Sequence, residues 1–396
     1  MTTTRTPPTV TPTTVSELRD AVLDTPGAVA VVGHGTATTW AARPAPVEAT
    51  LSTLGLHGIV SHNPGDLTVS ARAGTPLDEL QAELAAHGQR VAFDPARAAR
   101  SATLGGLFAT ADAGPLALSF GTLRDLVIGA TVVLADGTVA RSGGHVIKNV
   151  AGYDLTKLLH GAHGTLAVVT ELVLRLHPTP ETTATVALPC TLADLVQTAN
   201  RVTAHPVEVT ALEWAQDAAE GGRLLARLEG TEEGVRGRVG RLREAIGGEE
   251  IADAATVWAD HAAAVDARPA DGAVLRLGVA PTRLSALLAD LADSAGARAV
   301  TASPALGVAT LTLPATVEAV RTAHERVAAV GGTSTLRHRP EPGGSDLPAW
   351  GPAPSSVPLL RAVAASLDPD QRLGRGRLAP WLPLPTSSDR PTGVTA

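Results

Sequence analysis

The stretch Ala28-Val29-Ala30-Val31-Val32-Gly33-His34-Gly35-Thr36 is the most informative part of the sequence. The apolar residues before Gly33 predict a short buried strand that enters a tight loop. Because Gly33 and Gly35 let backbone N–H groups approach an anion, the loop as far as Thr36 can cradle a pyrophosphate. An ordinary turn has the same G-x-G spacing. The stretch matches neither a G-x-x-x-x-G-K-[ST] P-loop nor a G-x-G-x-x-G fingerprint, which argues against classical P-loop NTPases and Rossmann dehydrogenases.

Further glycine-rich segments follow downstream. They are Ala102-Thr103-Leu104-Gly105-Gly106, Phe120-Gly121-Thr122-Leu123-Arg124-Asp125, the run from Gly143 to Asp154, and Gly161-Ala162-His163-Gly164-Thr165-Leu166. Glycine has no Cβ, so a ligand or another backbone can approach it closely. These segments therefore predict that the chain passes close to something flat or anionic at several separate places.

Around these segments, the residue pattern predicts alternating strands and helices. Apolar spacing predicts a helix after the caps Thr14 and Ser16, and Asp136-Gly137 between apolar runs predicts a β-hairpin. The other elements predicted in the first half are a strand over 67–73, a helix over 77–86, hairpin strands over 127–134 and 139–142, and a long strand over 164–176.

From about residue 181 the pattern becomes α+β. Strand-like runs at 224–228, 274–279 and 308–313 alternate with helical runs at 235–245, 284–292 and 316–330. This order predicts an antiparallel sheet covered by helices. We therefore divide the chain into a disordered N-terminal tail (1–14), a first domain (15–180), a second α+β domain (181–350), a C-terminal segment (351–384) that returns to the first domain, and a disordered tail (385–396).

Composition excludes several classes of function. The net charge of −7 argues against binding to nucleic acid or to an anionic membrane. Cys190 is the only cysteine, so this chain can build neither a disulfide nor an iron–sulfur cluster, and we expect Cys190 to fill a buried apolar position. Neither a metal site nor a transmembrane segment is predicted. The Thr/Pro-rich N-terminus lacks the apolar core of a signal sequence, which predicts a cytoplasmic location.

The region from Asp66 to Pro178 closely resembles the FAD-binding domain of the vanillyl-alcohol oxidase (PCMH) type, and in particular the FAD-binding subunits of bacterial glycolate oxidases. The pieces that carry the resemblance are Asp66-Leu67-Thr68-Val69, Ala73-Gly74-Thr75-Pro76-Leu77, the segments 102–106 and 120–125, Lys148-Asn149-Val150-Ala151-Gly152-Tyr153-Asp154, and Gly164-Thr165-Leu166. Weaker matches extend it through 224–230, 274–278 and 367–378.

The resemblance implies an α+β fold, with a PCMH-type FAD-binding domain of two α/β subdomains and an α+β cap domain that carries an antiparallel sheet. It implies non-covalently bound FAD, with Gly33, His34, Gly35 and Thr36 at the pyrophosphate. The other residues implied to line the cofactor site are Thr103, Gly105, Gly106, Gly121, Asp125 and, through backbone contacts, Val168, Val169 and Thr170.

Several positions depart from the family's pattern. The arginine that commonly precedes the first loop is Val32 here, and His34 takes the place of a small residue. Ala167 replaces a glycine of the usual Gly-Thr-Leu-Gly string, and Gly374-Arg375 replaces the Asn-Pro of the C-terminal string. Some members of the superfamily attach FAD through histidine, but their attachment positions do not match His34.

The sequence identifies no complete catalytic site. Candidate catalytic residues are Lys148, Asn149, Tyr153, Arg276, Arg337 and His338. A cation at Lys148 could stabilise negative charge on a flavin; alternatively, Lys148 caps carbonyl groups and Tyr153 anchors the following helix. The two arginines could bind a carboxylate substrate bidentately, or they could take solvated or interface positions.

The paired-histidine strings that mark the catalytic flavoprotein subunit of such complexes are not visible in the second half. The resemblance therefore implies the FAD-binding subunit of a glycolate oxidase or dehydrogenase, which works beside a catalytic flavoprotein subunit and an iron–sulfur subunit. Its substrate would be a small 2-hydroxy acid, either glycolate or D-lactate, and its partners could hold it at the inner membrane. Two alternatives stay open: a self-sufficient FAD-linked oxidoreductase acting on another hydroxy acid or alcohol, and a structural subunit that has lost tight FAD binding.

Overall fold

Short alternating strands and helices form the first domain in the computed structural model, which describes residues 6–146, 153–216, 221–341 and 346–384. In chain order they are β1 (Thr9–Val10), α1 (Val15–Asp24), β2 (Val29–Val32), β3 (Ala49–Ser52), β4 (Ile59–Asn63), β5 (Thr68–Arg72), α2 (Leu77–Ala85), β6 (Gln89–Arg90), α3 (Leu104–Ala109), α4 (Ala117–Phe120), α5 (Leu123–Leu126), β7 (Val127–Val133), β8 (Val139–Gly143), α6 (Thr156–Leu159), β9 (Val168–Arg175) and β10 (His177–Pro178).

These strands form two main sheets. Parallel pairing gives the order β1-β3-β2, and antiparallel pairing gives β4-β5-β9-β7-β8. Helix α1, capped by the Thr14 side chain, buries Leu18 and Val22 in the same apolar cluster as Val29 of β2 and Val168 of β9. The two sheets therefore meet along an apolar boundary at which β2 and β9 come together.

The N-terminal residues include a strand, which corrects the prediction of a disordered tail for residues 6–14; residues 1–5 lie outside the described residues. Strand β1 pairs in parallel with β3, with Thr9 opposite Thr50 and Val10 opposite Leu51. A strand of two residues has no apolar periodicity, so the Thr/Pro-rich composition alone could not reveal it.

The second domain is a larger antiparallel sheet covered by helices. Its elements are β11 (Thr182–Pro189), α7 (Leu195–Ala204), β12 (Ala211–Ala215), β13 (Arg223–Gly230), α8 (Glu232–Ile246), β14 (Glu249–Glu250), α9 (Ala254–Val265), β15 (Gly272–Gly278), α10 (Leu284–Ala295), β16 (Arg298–Ser303), β17 (Val308–Pro314), α11 (Val317–Ala329) and β18 (Thr333–His338). The strand order is β14-β11-β13-β12-β16-β17-β15-β18. The predicted α+β fold with an antiparallel sheet is confirmed.

The two faces of this second sheet have different chemistry. Successive side chains of a strand point to opposite faces, so Leu224 and Ala226 of β13 enter the core beneath the helices while Arg227 faces the first domain. Glu213 of β12 also alternates with core residues. Cys190 lies buried in that core, as predicted.

The C-terminal segment lies against the first domain. After α12 (Val357–Leu367), Leu373 forms a parallel bridge with Val29. The Arg372 guanidinium donates to the carbonyl oxygens of Val22, Thr25 and Ala135 at 2.6–2.7 Å. The segment thus runs beside β2, the strand that leads into the Gly33 loop. In the part of the chain that the structure describes, no helix is long and apolar enough to cross a membrane.

Candidate cofactor site

An open cavity lies where β2 and β9 meet. Its volume is about 1070 Å³ when the open solvent at its mouth is included. Its walls come from the loop after β2, the first turn of α3, the start of β9 and the C-terminal segment. The residues that sequence analysis placed at a cofactor and that line this cavity are Gly33, His34, Gly35, Thr36, Thr103, Gly105, Gly106, Val168 and Val169.

The loop after β2 presents backbone donors to this cavity. Within the described residues, the N–H groups of His34, Gly35 and Thr36 have no hydrogen-bond acceptor, although the Thr38 N–H turns back to the Gly35 carbonyl at 3.3 Å. Gly35 has φ +69°, a conformation that glycine adopts without strain. Consecutive unpaired N–H groups on one loop form an anion-binding concavity, so this loop can hold a pyrophosphate.

Gly33 is required by the contact between two loops. A Cβ at this position would lie 2.4 Å from the Thr103 hydroxyl oxygen. That oxygen caps α3 by accepting a hydrogen bond from the Gly106 N–H at 3.3 Å, so it cannot move without loss of the cap. Because Gly33 has no side chain, the loop of His34, Gly35 and Thr36, here called the anion cradle, packs directly against the first turn of α3.

The glycines of α3 act differently from those of the cradle. The Gly105 N–H donates to the Ala73 carbonyl at 2.8 Å, and the Gly106 N–H donates to Thr103, so neither N–H is free for an anion. A Cβ on Gly105 would lie 3.0 Å from the Cβ of Ala73. These glycines thus shape the cavity wall by close packing. N–H groups that are free to bind an anion therefore occur in the cradle and not at Gly105 or Gly106.

The far wall is formed by β9 and the loop before it. The strand expected from residue 164 begins at Val168, because Gly164 has φ +73° and the Thr165 N–H closes a turn on the Ala162 carbonyl at 3.0 Å. Val168 and Val169 line the cavity, whereas the Thr170 hydroxyl donates to the Thr131 carbonyl at 2.9 Å. Thr170 is therefore a link between strands and not a part of the cavity wall.

Gly121 and Asp125 lie outside the cavity wall, contrary to the expectation from the family resemblance. The Asp125 carboxylate accepts from the Thr122 N–H at 2.9 Å, and the Thr122 hydroxyl accepts from the Arg124 N–H at 3.1 Å. This is a capping box at the start of α5. Gly121 has φ +78°, and a Cβ there would lie 2.6 Å from the Asp125 carboxylate. Both residues therefore serve the start of a helix.

A buried charged cluster lies at the inner end of the cavity. Arg97, which is 1 % exposed, donates from Nε to Asp112 Oδ2 at 2.9 Å and from Nη1 to the Thr36 hydroxyl at 2.9 Å. Arg337 Nη1 lies 3.3 Å from Asp112 Oδ1. Both guanidinium groups also lie over the Trp40 ring, with the central carbon of Arg97 4.2 Å and that of Arg337 3.9 Å from the ring centre. Because Arg337 belongs to β18, the cluster links the anion cradle to the antiparallel sheet of the second domain, here called the cap sheet.

The charges in this cluster depend on one another. Burial raises the pKa of Asp112, but Arg97 and Arg337 outweigh burial and hold that pKa below its usual value. Burial also lowers the pKa of Arg337 to about 9, although Asp112 opposes this shift. Sequence analysis missed Arg97 and Asp112, because neither lies in a glycine motif and their pairing exists only in the folded chain.

Two buried polar atoms in the cavity wall have no partner among the described residues. They are Nδ1 of His163 and Nε of Arg375. Burial, assisted by the charge of Arg377, lowers the pKa of His163 to about 3, so the imidazole is neutral at pH 7. Unpaired buried polar atoms are costly, and a polar ligand in the cavity would satisfy them. Together with the cradle, these atoms fit a phosphate-bearing, polar cofactor.

Arg377 fixes the chain that follows the cradle. Its guanidinium donates to the carbonyl oxygens of Ala37, Thr38 and Ala42 at 3.1–3.2 Å. Burial lowers the pKa of Arg377 to about 10, so it stays charged near neutral pH. The signal for this residue was present in the sequence, because the string Gly376-Arg377-Leu378 belongs to the family resemblance.

The candidate catalytic residues do not form one site. Lys148 and Asn149 lie outside the described residues, and Tyr153 is 92 % exposed and absent from the cavity wall. His338 Nε2 lies 3.0 Å from the Pro269 carbonyl. Arg276 lines a separate cavity between the domains. Within the described ranges, no group of three or more His, Cys, Asp or Glu side chains could hold a metal ion.

Comparison with known proteins identifies the class of this site. Residues 7–143 match the family model described as "FAD binding domain". Glycolate oxidase subunit GlcE of Escherichia coli (strain K12) is 36 % identical over 195 residues, which cover 49 % of this chain and 53 % of the relative. Residues 7–143 of this chain therefore form an FAD-binding domain, which supports FAD as the cofactor. The predicted family resemblance and cofactor are confirmed.

Other relatives are named as oxidoreductases. Glycolate oxidase subunit GlcD of Bacillus subtilis is 36 % identical over 159 residues, 40 % of this chain and 34 % of the relative. D-lactate dehydrogenase of Archaeoglobus fulgidus is 42 % identical over 117 residues, 30 % of this chain and 26 % of the relative. The matches span about half the length of these curated relatives or less. The names of these relatives agree with the oxidoreductase class that the sequence predicted.

A solved structure shows the same fold over most of the chain. The crystal form of an alkyldihydroxyacetonephosphate synthase in P212121 superposes with a TM-score of 0.68 at 16 % identity, covering 93 % of this chain and 75 % of that one. At this identity the likeness defines the fold alone. It extends beyond the FAD-binding domain and includes the second domain.

Proposed function

We propose that this chain is the FAD-binding subunit of a glycolate oxidase- or dehydrogenase-type complex that oxidises a small 2-hydroxy acid. The observation that carries the proposal is the anion cradle of His34, Gly35 and Thr36 in the wall of an open cavity, in a chain 36 % identical over 195 residues to a glycolate oxidase subunit. FAD, when bound, supplies an acceptor for the hydride that leaves the hydroxyl-bearing carbon.

The chain's own residues would bind and orient that cofactor. The cradle N–H groups would donate hydrogen bonds to the pyrophosphate oxygens, and the hydrogen bond from Arg97 to Thr36 holds the cradle in place. Arg377 fixes the following loop by donating to its carbonyl oxygens, and Val168 and Val169 form part of the wall against which the cofactor would lie. These contacts support tight, non-covalent binding.

Of the two histidines that line the cavity, His163 is poorly matched to act as a general base. A base that removes a hydroxyl proton works best when its pKa lies near the operating pH, whereas the pKa of His163 is about 3. His34 belongs to the anion cradle, and its Nδ1 donates to the Ser101 carbonyl at 2.6 Å. This supports a division of labour in which the catalytic flavoprotein subunit supplies the base.

The electrons must then leave through another subunit. Because Cys190 is the only cysteine and is buried, the iron–sulfur centre in this proposal belongs to a separate partner. The hydroxy acid loses a hydride and a proton to become the oxo acid, and the partner accepts the two electrons that FAD receives. In this proposal the complex is cytoplasmic, and its partners hold it peripherally at the inner membrane.

The proposal is tested with the full chain, first alone and then produced together with its two partner subunits. Cofactor is released by heat and measured, and glycolate or D-lactate is added to the intact protein without oxygen. We expect FAD in both samples and bleaching of the flavin absorbance only with partners. Bleaching of the isolated chain would instead support a self-sufficient oxidoreductase. A chain that neither contains nor binds FAD would support the structural subunit.

A further inference from the structure

A second cavity lies between the two domains. Its volume is about 580 Å³ when the open solvent at its mouth is included. Its walls are formed by the face of the cap sheet that points toward the first domain, by α9, and by the loops 94–96 and 113–115. The charged and hydroxyl-bearing residues in its lining are Asp94, Glu213, Arg227, His261, Arg276 and Ser303. The residues of the sheet reach this cavity because every second position of their strands faces it.

The two carboxylates of this interdomain cavity already have donors. Asp94 Oδ2 accepts from Arg227 Nη1 at 2.9 Å, and Asp94 Oδ1 accepts from the Leu116 N–H at 2.9 Å. Glu213 Oε2 accepts from the Ser303 hydroxyl at 2.8 Å. Both acids are thus satisfied within the protein, and the Asp94–Arg227 pair joins the first domain to the cap sheet.

Two nitrogen-bearing groups remain open. Arg276 donates from Nη1 to the Thr310 hydroxyl at 2.6 Å, and among the described residues it has no carboxylate partner within 4.0 Å. His261, only 4 % exposed, has its Nε2 buried without a hydrogen-bond partner, although Glu213 Oε2 lies 3.3 Å away. The carboxylates that act on Arg276, those of Glu213 and Asp112, lie beyond ion-pair distance. A largely buried guanidinium with no direct ion pair, beside an unpaired ring nitrogen, indicates a place for an anionic ligand.

We propose that the interdomain cavity binds a small monocarboxylate, with its carboxylate on Arg276 and a neighbouring polar group at His261. Guanidinium groups match carboxylates in shape and charge, which favours this ligand class. Asp94 and Glu213 border the same space and repel a second negative charge, so a phosphate dianion fits poorly. The inference does not rest on the proposed oxidation reaction.

The interdomain cavity is separate from the cofactor cavity. Arg97 lines the cofactor cavity, while its chain neighbour Ala96 lines the interdomain cavity. The Arg97–Asp112 ion pair, at 2.9 Å, lies between them, because Ala113 on the other side of Asp112 also lines the interdomain cavity. A carboxylate bound on Arg276 is therefore expected to bind whether or not FAD is present.

The test is calorimetric titration of the full chain with glycolate, glycolamide and inorganic phosphate, carried out with FAD bound and after its removal. We expect one glycolate per chain in both forms, and at least tenfold weaker binding of the neutral amide and of phosphate. Arg276→Gln should weaken glycolate binding about 10- to 100-fold, as loss of a hydrogen bond to a charged group does. The matched control is Arg283→Gln, an exposed arginine outside the cavity, which should bind like the wild type.

Two results would overturn the inference: no glycolate binding to a folded chain, or equal binding by Arg276→Gln. Glycolate binding that needs FAD and bleaches it would place the ligand at the flavin instead. Arg276→Lys serves if the glutamine variant does not fold, since it keeps the charge but loses the fork geometry and should also bind more weakly. FAD content is measured in every sample. Loss of glycolate binding with FAD retained contradicts this inference alone, and absence of FAD contradicts the proposed function alone.

Discussion

The cofactor cavity and the interdomain cavity lie on opposite sides of the Arg97–Asp112 ion pair, and they are built from different chemistry. Glycine, valine, alanine and threonine make up most of the lining of the cofactor cavity, which contains no acid among the described residues, whereas the interdomain cavity is lined by two acids, two arginines and a histidine among smaller residues. The shape of the cofactor cavity depends on glycines such as Gly33 and Gly105, where a side chain would meet a neighbouring residue. The interdomain cavity owes its charge to side chains that converge from both domains.

This difference shows why one site is visible in the sequence and the other is not. A glycine cradle is local, since the strand, the turn and the free donors lie within a few residues of one another. A charged pocket is not local, because Asp94 and Arg276 meet only when the cap sheet lies against the first domain. The ion pair between the cavities is the structural element that both depend on.

The largest effect is expected when that shared element loses its charge. In Asp112→Asn, the guanidinium groups of Arg97 and Arg337 lose the carboxylate between them in a buried site. Breaking a buried ion pair in this way costs about 3–5 kcal/mol of unfolding free energy, which urea unfolding measures. The control is Asp290→Asn, whose exposed pair with Arg326 spans 3.8 Å and should contribute no more than about 0.5 kcal/mol. Equal effects of both variants would show that the buried pair is not the common support.

A second variant should affect the cofactor cavity alone. In Gly33→Ala, the new Cβ meets the Thr103 hydroxyl and separates the cradle from α3. We expect FAD to bind about 100-fold more weakly, measured by titration of flavin-free protein, because several aligned donors are displaced together. Gly65→Ala is the control, since a Cβ there meets nothing within 4 Å and Gly65 lies outside the cavity. Unchanged glycolate binding in Gly33→Ala would sharpen the separation of the two cavities.

Acid should destabilise the cofactor side through His163. Its pKa falls from 6.5 to about 3 on folding, so between these values the unfolded chain binds the proton and the folded chain does not. Stability therefore falls as pH drops below about 6.5, by about 1 kcal/mol from this group between pH 7.0 and 5.5. His163→Asn, which suits the φ of +51° at this position, should lose less over that range in urea unfolding. Between pH 7 and 8 the difference between the two proteins should stay constant.

In the interdomain cavity, Asp94 should change the pH dependence of the unfolding free energy in the opposite direction, and this is the smallest of the expected effects. Burial raises the pKa of Asp94 from 3.8 to about 6, although Arg227 opposes the shift, so the folded chain takes up the proton first. Stability from this group thus rises as pH falls from about 6 toward 4, by less than about 1 kcal/mol between pH 7.0 and 5.5. Compared with wild type, Asp94→Asn should lose more stability over this range. The same sign for Asp94 and His163 would contradict the contrast between the two cavities.

The sequence predicted most of the fold and part of the site, for identifiable reasons. The strand before Gly33 and the helix starting at Leu77 carry clear apolar periods, so their positions were predicted closely. Gly121 and Asp125 lie outside the lining of the cofactor cavity, at a capping box that the local Thr122-x-x-Asp125 pattern already indicates. The wall formed by Arg97, Asp112 and Arg337 could not be predicted, since no local pattern links residues so far apart in the chain.

The central claim is that the cradle and the cavity behind it hold one FAD without a covalent bond. The most direct test is the ratio of flavin to protein in the purified full chain, before and after acid precipitation, with added FAD if the ratio is low. We predict one FAD per chain, all of it released into the supernatant by acid. A chain that stays free of flavin with FAD in excess, or flavin that remains attached to the precipitate, would contradict the account.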